Sequence, residues 1–105
     1  MTTHNVYVVE LRRNVLEVKK FADKNPDCEP GMRCYYVGMT GLSPEQRFGN
    51  HKRGYKANRF VRDYGIGLRR DEYESYNPMS YEDACFMEVF LAEMLRAKGH
   101  AVWQN

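Results

Sequence analysis

A chain of 105 residues, 43% hydrophobic and 29% charged, has the make-up of a single domain over residues 1–105 with one modest core. It has no run of about 18 apolar residues, which excludes a membrane-spanning helix, and no basic start followed by an apolar stretch, which leads us to expect a cytoplasmic protein without a secretory leader. The net charge of +2 is unevenly spread: Arg47 to Arg70 holds eight basic residues against one acid, Asp63, a local +7 that leaves −5 for the rest.

Taken in chain order, Val6 to Leu11 is β-branched and aromatic, the pattern of a strand. Arg13 to Lys24 places Val15, Leu16, Val18, Phe21 and Ala22 at nearly helical spacing and predicts a short helix. Asn25 to Gly31, with two prolines and a glycine, is a loop. Arg33 to Met39 predicts a second strand, antiparallel to the first. Ser43-Pro44-Glu45-Gln46 combines a capping serine, a proline suited to the first helical position and a glutamine that completes a capping box. It opens a helix running to about Arg53 and ending at Gly54. A second short helix covers Ala57 to Asp63, and Leu68 to Tyr73 predicts a third strand. Ser80 caps the longest helix, which runs to Lys98 and stops at Gly99. Ala101 to Gln104 forms a terminal extension of strand character anchored by Trp103. Strands and helices mix without strict alternation, so the expected fold is α+β, a small three-stranded antiparallel sheet flanked by helices.

Cys28, Cys34 and Cys85 are an odd number at spacings that match no zinc motif, and neither His51 nor His100 completes one, so free thiols are expected. Glu88 is the sharpest chemical signal. With Ala84 as zero and about 100° per residue, Leu91 falls at about 340°, Leu95 at about 20°, Glu88 at about 40° and Ala92 at about 80°. A carboxylate in the middle of an apolar arc requires a partner, because burying an unpaired charge is costly. The partner is a metal, a proton, or, in the ordinary case, an arginine in a core ion pair.

Arg47 and His51 stand four apart and share a helix face. A permanent cation beside a group that titrates near neutrality suits phosphate chemistry, the first to hold an anion and the second to move a proton. A solvated Arg/His pair on a helix surface is the plain alternative. Tyr7 and Tyr36 occupy mid-strand positions from which their phenols can point together if the strands are neighbours. Tyr35 alternates to the opposite face. Core aromatics with hydroxyls at the rim would give the same pattern.

In their order along the chain, these residues resemble the GIY-YIG nuclease family. Asn5-Val6-Tyr7 stands where the first tripeptide would be and Tyr36-Val37-Gly38 where the second would be. Thr40, then Arg47 and His51 on a helix, follow as in the restriction-enzyme-like branch, and Glu88 stands on a later helix where the family keeps its metal-binding glutamate. The resemblance implies a three-stranded sheet with a site on one face. It also implies hydrolysis of a phosphodiester by in-line attack of water with one Mg²⁺ or Mn²⁺ held by Glu88. In that scheme Arg47 neutralises charge on the phosphate and Tyr7 orients or deprotonates the water. His51 is the base or proton relay for Tyr7, and Tyr36 bonds the phosphate or the water.

The chain departs from the family at several points, beginning with Val6 and Val37, which replace both isoleucines and keep the strand character. Asn5 replaces the first glycine, and the 28 residues between Tyr7 and Tyr36 demand an inserted helix. Met39 stands where some members keep a lysine, which gives the base role to His51. Asn105 is the only asparagine beyond the glutamate helix.

The expected activity is therefore that of an endonuclease acting on DNA in preference to RNA, with backbone contacts from Arg53, Lys56, Arg59 and Arg62. Lacking a recognition domain, it would be weakly specific, structure-directed, or reliant on a homodimer or another partner. The alternatives are an inactive nucleic-acid-binding module of the same fold and a protein-interaction domain using the surface from Tyr73 to Tyr81.

Overall fold

The structure is a computed structural model and describes residues 1–104. Asn105 lies outside the described residues. Four strands, β1 (Asn5–Leu11), β2 (Cys34–Thr40), β3 (Gly65–Leu68) and β4 (Ala101–Gln104), form one sheet in the order β3-β1-β2-β4. The expected α+β class holds, but the sheet is four-stranded and mixed where a three-stranded antiparallel one was expected. β1 pairs antiparallel with β2 and β3, while β4 runs parallel to β2. Parallel pairing needs a long crossover, and the helical stretch between β2 and β4 supplies it.

Four α-helices pack around the sheet: α1 (Lys19–Asp23), α2 (Pro44–Arg53), α3 (Arg59–Tyr64) and α4 (Tyr81–Ala97). The helix expected over Arg13–Lys24 is instead a 3₁₀ turn, Arg13–Glu17, and the short α1, with Val18 extended between them. Packing explains the break. Val15 and Phe21 are both fully buried, yet six residues on one continuous helix lie about 240° apart. Only a bend at Val18 lets both reach the same core.

The third strand also falls earlier than Leu68–Tyr73. β3 ends at Leu68, Arg69 donates its backbone N–H to the Val8 carbonyl, and two 3₁₀ turns roll Tyr73 into the core. The helix expected over Ala57–Asp63 starts two residues later, at Arg59, because Asn58 is its N-cap and accepts from the backbone N–H groups of Phe60 and Val61. The other helix boundaries match the expectation. Ser43 and Gln46 form a reciprocal capping box, Gly54 closes α2 in the left-handed region, and Ser80 caps α4.

Alternation along β1, β2 and β4 puts Tyr7, Tyr36 and Trp103 on one sheet face and Val8, Tyr35 and Val102 on the other. The first face is covered by α1, α2 and α3: Phe21 and Phe60 pack on Trp103, and His51 packs on both Tyr7 and Tyr36. α4 lies across β4, β2 and β1 and covers the second face with Ala84, Leu91 and Leu95.

The outer edge of β4 is closed by a side chain. Asn25, nearly buried, accepts from Val102 N–H (2.8 Å) and donates to the Val102 carbonyl (3.1 Å), imitating a neighbouring strand. Arg96 Nη2 also donates to the Val102 carbonyl at 2.8 Å, so Asn25→Ala strips the partner of the Val102 N–H alone, and chemical denaturation is expected to show a loss of about 1–3 kcal/mol.

Candidate active site

Tyr7 on β1 and Gly38 on β2 are cross-strand partners, with Tyr36 two residues away on the same face. The phenol rings lean over Gly38. A Cβ there would come within 2.8 Å of Tyr7 Cζ and Oη and 2.9 Å of Tyr36 Cε1. The glycine of the Tyr-Val-Gly tripeptide is thus a steric requirement of the paired phenols, whose centroids are 6.0 Å apart. Gly38→Ala overpacks this contact and should cost about 1–3 kcal/mol by thermal unfolding, with the two rings displaced.

α2 delivers the next two groups. His51 is fully buried, with centroids 6.0 Å from Tyr7 and 5.6 Å from Tyr36. Its Nε2 lies 2.8 Å from the Tyr7 hydroxyl, and its Nδ1 accepts from the backbone N–H of Asn58 at 2.9 Å. An amide N–H can only donate, so Nδ1 carries the lone pair. A neutral ring then has its proton on Nε2, and that proton is donated to the Tyr7 oxygen. Burial, helped by the charge of Arg47, pushes the His51 ionisation down to about 4 and keeps the ring neutral near pH 7.

Arg47, one turn earlier, donates to the Lys56 carbonyl at 2.8 Å and more distantly to the Tyr55 carbonyl at 3.5 Å. Lys56 holds a left-handed backbone with φ of 47°, a conformation few non-glycine residues adopt. Its carbonyl thus helps fix the guanidinium beside Tyr7, where its charge acts on the phenol.

Burial dominates the tyrosines. It drives the Tyr7 phenol well above its ordinary range, with Tyr36 pushing the same way and Arg47 pulling against. Burial also raises Tyr36, to about 12; the charge of Glu88 adds to the rise, while Tyr7 and Arg47 oppose it.

Glu88 comes from α4. It is half-buried, and its Oε1 accepts from Gln104 Nε2 at 2.8 Å. Desolvation raises its carboxyl above the usual range, against the pull of the Gln104 and Met39 amides. Among the described residues no cation lies within ion-pairing distance of it, so the core Arg–Glu pair is not what holds this carboxylate.

Tyr7, Tyr36, Arg47 and His51 therefore gather in one cluster. Glu88 approaches from another helix, near enough for its charge to act on Tyr36 but without a hydrogen bond to any of the four. No group of three or more His, Cys, Asp or Glu side chains forms a metal cage among the described residues. That donor set does not fit zinc, which takes three or four protein ligands. A desolvated carboxylate without a counter-charge does fit Mg²⁺ or Mn²⁺, which keep several waters and need only one or two carboxylates from the protein. The three cysteines are free.

Of the expected nucleic-acid contacts, Arg62 is neutralised by Asp63 at 2.9 Å. Among the described residues Arg53, Lys56 and Arg59 have no acidic partner within ion-pairing distance. Lys52 is spent internally, donating to the Arg62 and Gly65 carbonyls at 3.0 and 3.1 Å. Arg69 pairs with Glu10 and Asp71, and Arg70 with Glu45. The free positive charge of the +7 segment is thus concentrated at the end of α2 and the start of α3.

Sequence reasoning missed three supporting positions. Asn58 serves both as N-cap of α3 and as the amide that sets the His51 tautomer; an asparagine ahead of Arg-Phe-Val was its available signal. The Lys56 carbonyl and Gln104 left no signal, because each acts through a contact distant in sequence. No protein-family model, curated protein or solved structure matches the chain. Among the described residues no helix is long and apolar enough to cross a membrane.

Proposed function

We propose that this chain is a metal-dependent endonuclease of the GIY-YIG kind, hydrolysing phosphodiester bonds in DNA. The observation that carries this reading is the gathering of Tyr7, Tyr36, Arg47 and His51 in one cluster, with the two phenols over Gly38, near a desolvated Glu88 that has no cationic partner among the described residues. A pure binding module has no use for such a carboxylate, which lowers stability unless a cation offsets it.

Glu88 would hold the divalent ion, Mg²⁺ or Mn²⁺, which when bound would supply positive charge for phosphodiester cleavage. Arg47, fixed by the Lys56 carbonyl, meets a non-bridging phosphate oxygen and the charge that builds on it. Tyr7 takes the proton of the attacking water, so its phenolate form must be accessible. Arg47 and the Nε2–H of His51 both lower the cost of that negative charge. The water oxygen bonds to phosphorus, one P–O ester bond breaks, and the leaving oxygen is protonated from solvent. Tyr36 bonds the phosphate or the water. In this tautomer His51 has no free lone pair, so it serves Tyr7 as a donor and not as its base.

The test is nicking of supercoiled plasmid in Mg²⁺ or Mn²⁺ by the wild type and by Glu88→Ala. Nicking that vanishes with Glu88 supports the enzyme. Binding without nicking by the wild type would replace it with the inactive module.

A further inference from the structure

The five residues Gly54 to Asn58 join α2 to α3 and touch the site twice: Arg47 donates to the carbonyls of Tyr55 and Lys56, and Asn58 donates to His51. Gly54, with φ of 84°, and Lys56, with φ of 47°, shape the turn. At its apex Tyr55 is 58% exposed, the second most exposed of the large hydrophobic side chains after Phe86 if the N-terminal Met1 is set aside. Its backbone is anchored at both ends: the N–H donates to the Asn50 carbonyl at 2.9 Å, and the carbonyl accepts from Arg47. The ring therefore projects from a fixed base, and ordering it on a ligand costs little conformational entropy.

The surroundings of that ring are cationic. Lys56 Nζ lies 5.6 Å from its centroid, and among the described residues Arg53, Lys56 and Arg59 are the cations of the +7 segment that neither pair with a carboxylate nor hold a backbone carbonyl, Arg53 donating only to the Asn50 side-chain oxygen. A planar aromatic presented among unpaired cations suits an unstacked nucleobase with its phosphates on either side, because every base offers a π-face and every linkage a charge. Duplex DNA hides its base faces and could use only the cations.

We propose that Tyr55 is a stacking platform for an unpaired nucleotide lying next to the scissile phosphate, and that the substrate is nucleic acid with single-stranded character at the cut, such as a flap, bulge or junction. The proposal rests on the nuclease reading and narrows its substrate class. Because Tyr55 shares its loop with the carbonyl that holds Arg47, a base seated on the ring places its own phosphate towards the guanidinium.

The experiment measures binding in EDTA, where no turnover occurs, by fluorescence anisotropy with a 12-nucleotide single-stranded deoxyoligonucleotide and with a 12-base-pair duplex. The wild type should prefer the single strand. Tyr55→Ala should weaken single-strand binding about tenfold and change duplex binding less than about twofold, while Tyr55→Phe keeps the wild-type preference. Arg59→Ala should flatten the salt dependence by about one unit of slope and leave the single-strand preference intact. Equal effects of Tyr55→Ala on both probes, or none on either, would overturn the platform and leave a Glu88-dependent nicking activity standing. A wild type that binds neither probe would overturn the nuclease reading along with it. Tyr55 is exposed, so its variants are expected to fold, and unchanged circular dichroism verifies this.

Discussion

Replacing Glu88 by glutamine is expected to reduce nicking by about 10³-fold or more while leaving the chain at least as stable as the wild type at pH 7. The loss of rate follows from the role assigned to the carboxylate, the only protein ligand proposed for the ion that stabilises the phosphate charge. The unchanged or raised stability follows from its surroundings. Burial lifts the carboxyl ionisation above the ordinary value, and among the described residues no cation offsets it. A group raised in the folded state favours folding when protonated, and that contribution is lost as pH rises through its folded ionisation.

Glutamine is the neutral, isosteric form and escapes the loss. The two proteins should therefore unfold alike near pH 3, and the mutant should be the more stable near pH 7. Thermal melts across that range, with and without Mg²⁺, supply the check. Added Mg²⁺ should raise the midpoint of the wild type and not that of the mutant, by linkage to binding. A structural ion pair would give the opposite sign, a loss of about 3–5 kcal/mol at pH 7.

This contrast marks what local sequence could and could not disclose. The placement of Glu88 on an apolar arc follows from helical periodicity alone, and the boundaries of α2 and α4 follow from serine caps and terminal glycines. The geometry of β1 and β2 was equally legible, since β-branched and aromatic residues alternate there and bring Tyr7 and Tyr36 to one face.

Other features depend on contacts remote in sequence. β4 is four residues long, and its parallel pairing with β2 is decided by where α4 returns the chain. The bend at Val18 exists because Val15 and Phe21 share a core, and β3 ends early because Tyr73 is drawn inward. The site has the same division. Residue types named the groups, but the direction of the proton between His51 and Tyr7 depends on the amide of Asn58, seven residues away, and the pose of Arg47 on the carbonyl of Lys56, nine residues away. The charge count also overstated the basic surface, because ion pairs and internal carbonyls occupy much of it.

The direction of that proton sets the last expectation, a rate that climbs with pH where a histidine base would give a plateau. With His51 held neutral above about pH 4, a mechanism that used it as base would be fully active, and flat, from about pH 5 upward. With Tyr7 as the base, the reactive phenolate is a small fraction throughout, because burial holds its ionisation far above neutrality. Its population grows about tenfold per pH unit, so the logarithm of the nicking rate should rise with a slope of about one from pH 6 to 9, with no inflection near 6.5. His51→Ala should lower that line by about 10²-fold without changing its slope. His51→Gln, whose amide can donate to Tyr7 but cannot accept its proton, should recover most of the loss.

Stability gives a readout independent of turnover. The folded ionisation of His51 is depressed, so its contribution is present above about pH 6.5 and lost as pH falls through about 4. The wild type should lose about 3 kcal/mol across that window from this group, and His51→Gln should not. A flat rate profile together with an inactive His51→Gln would return the proton to the imidazole and require Asn58 to release Nδ1 during the reaction.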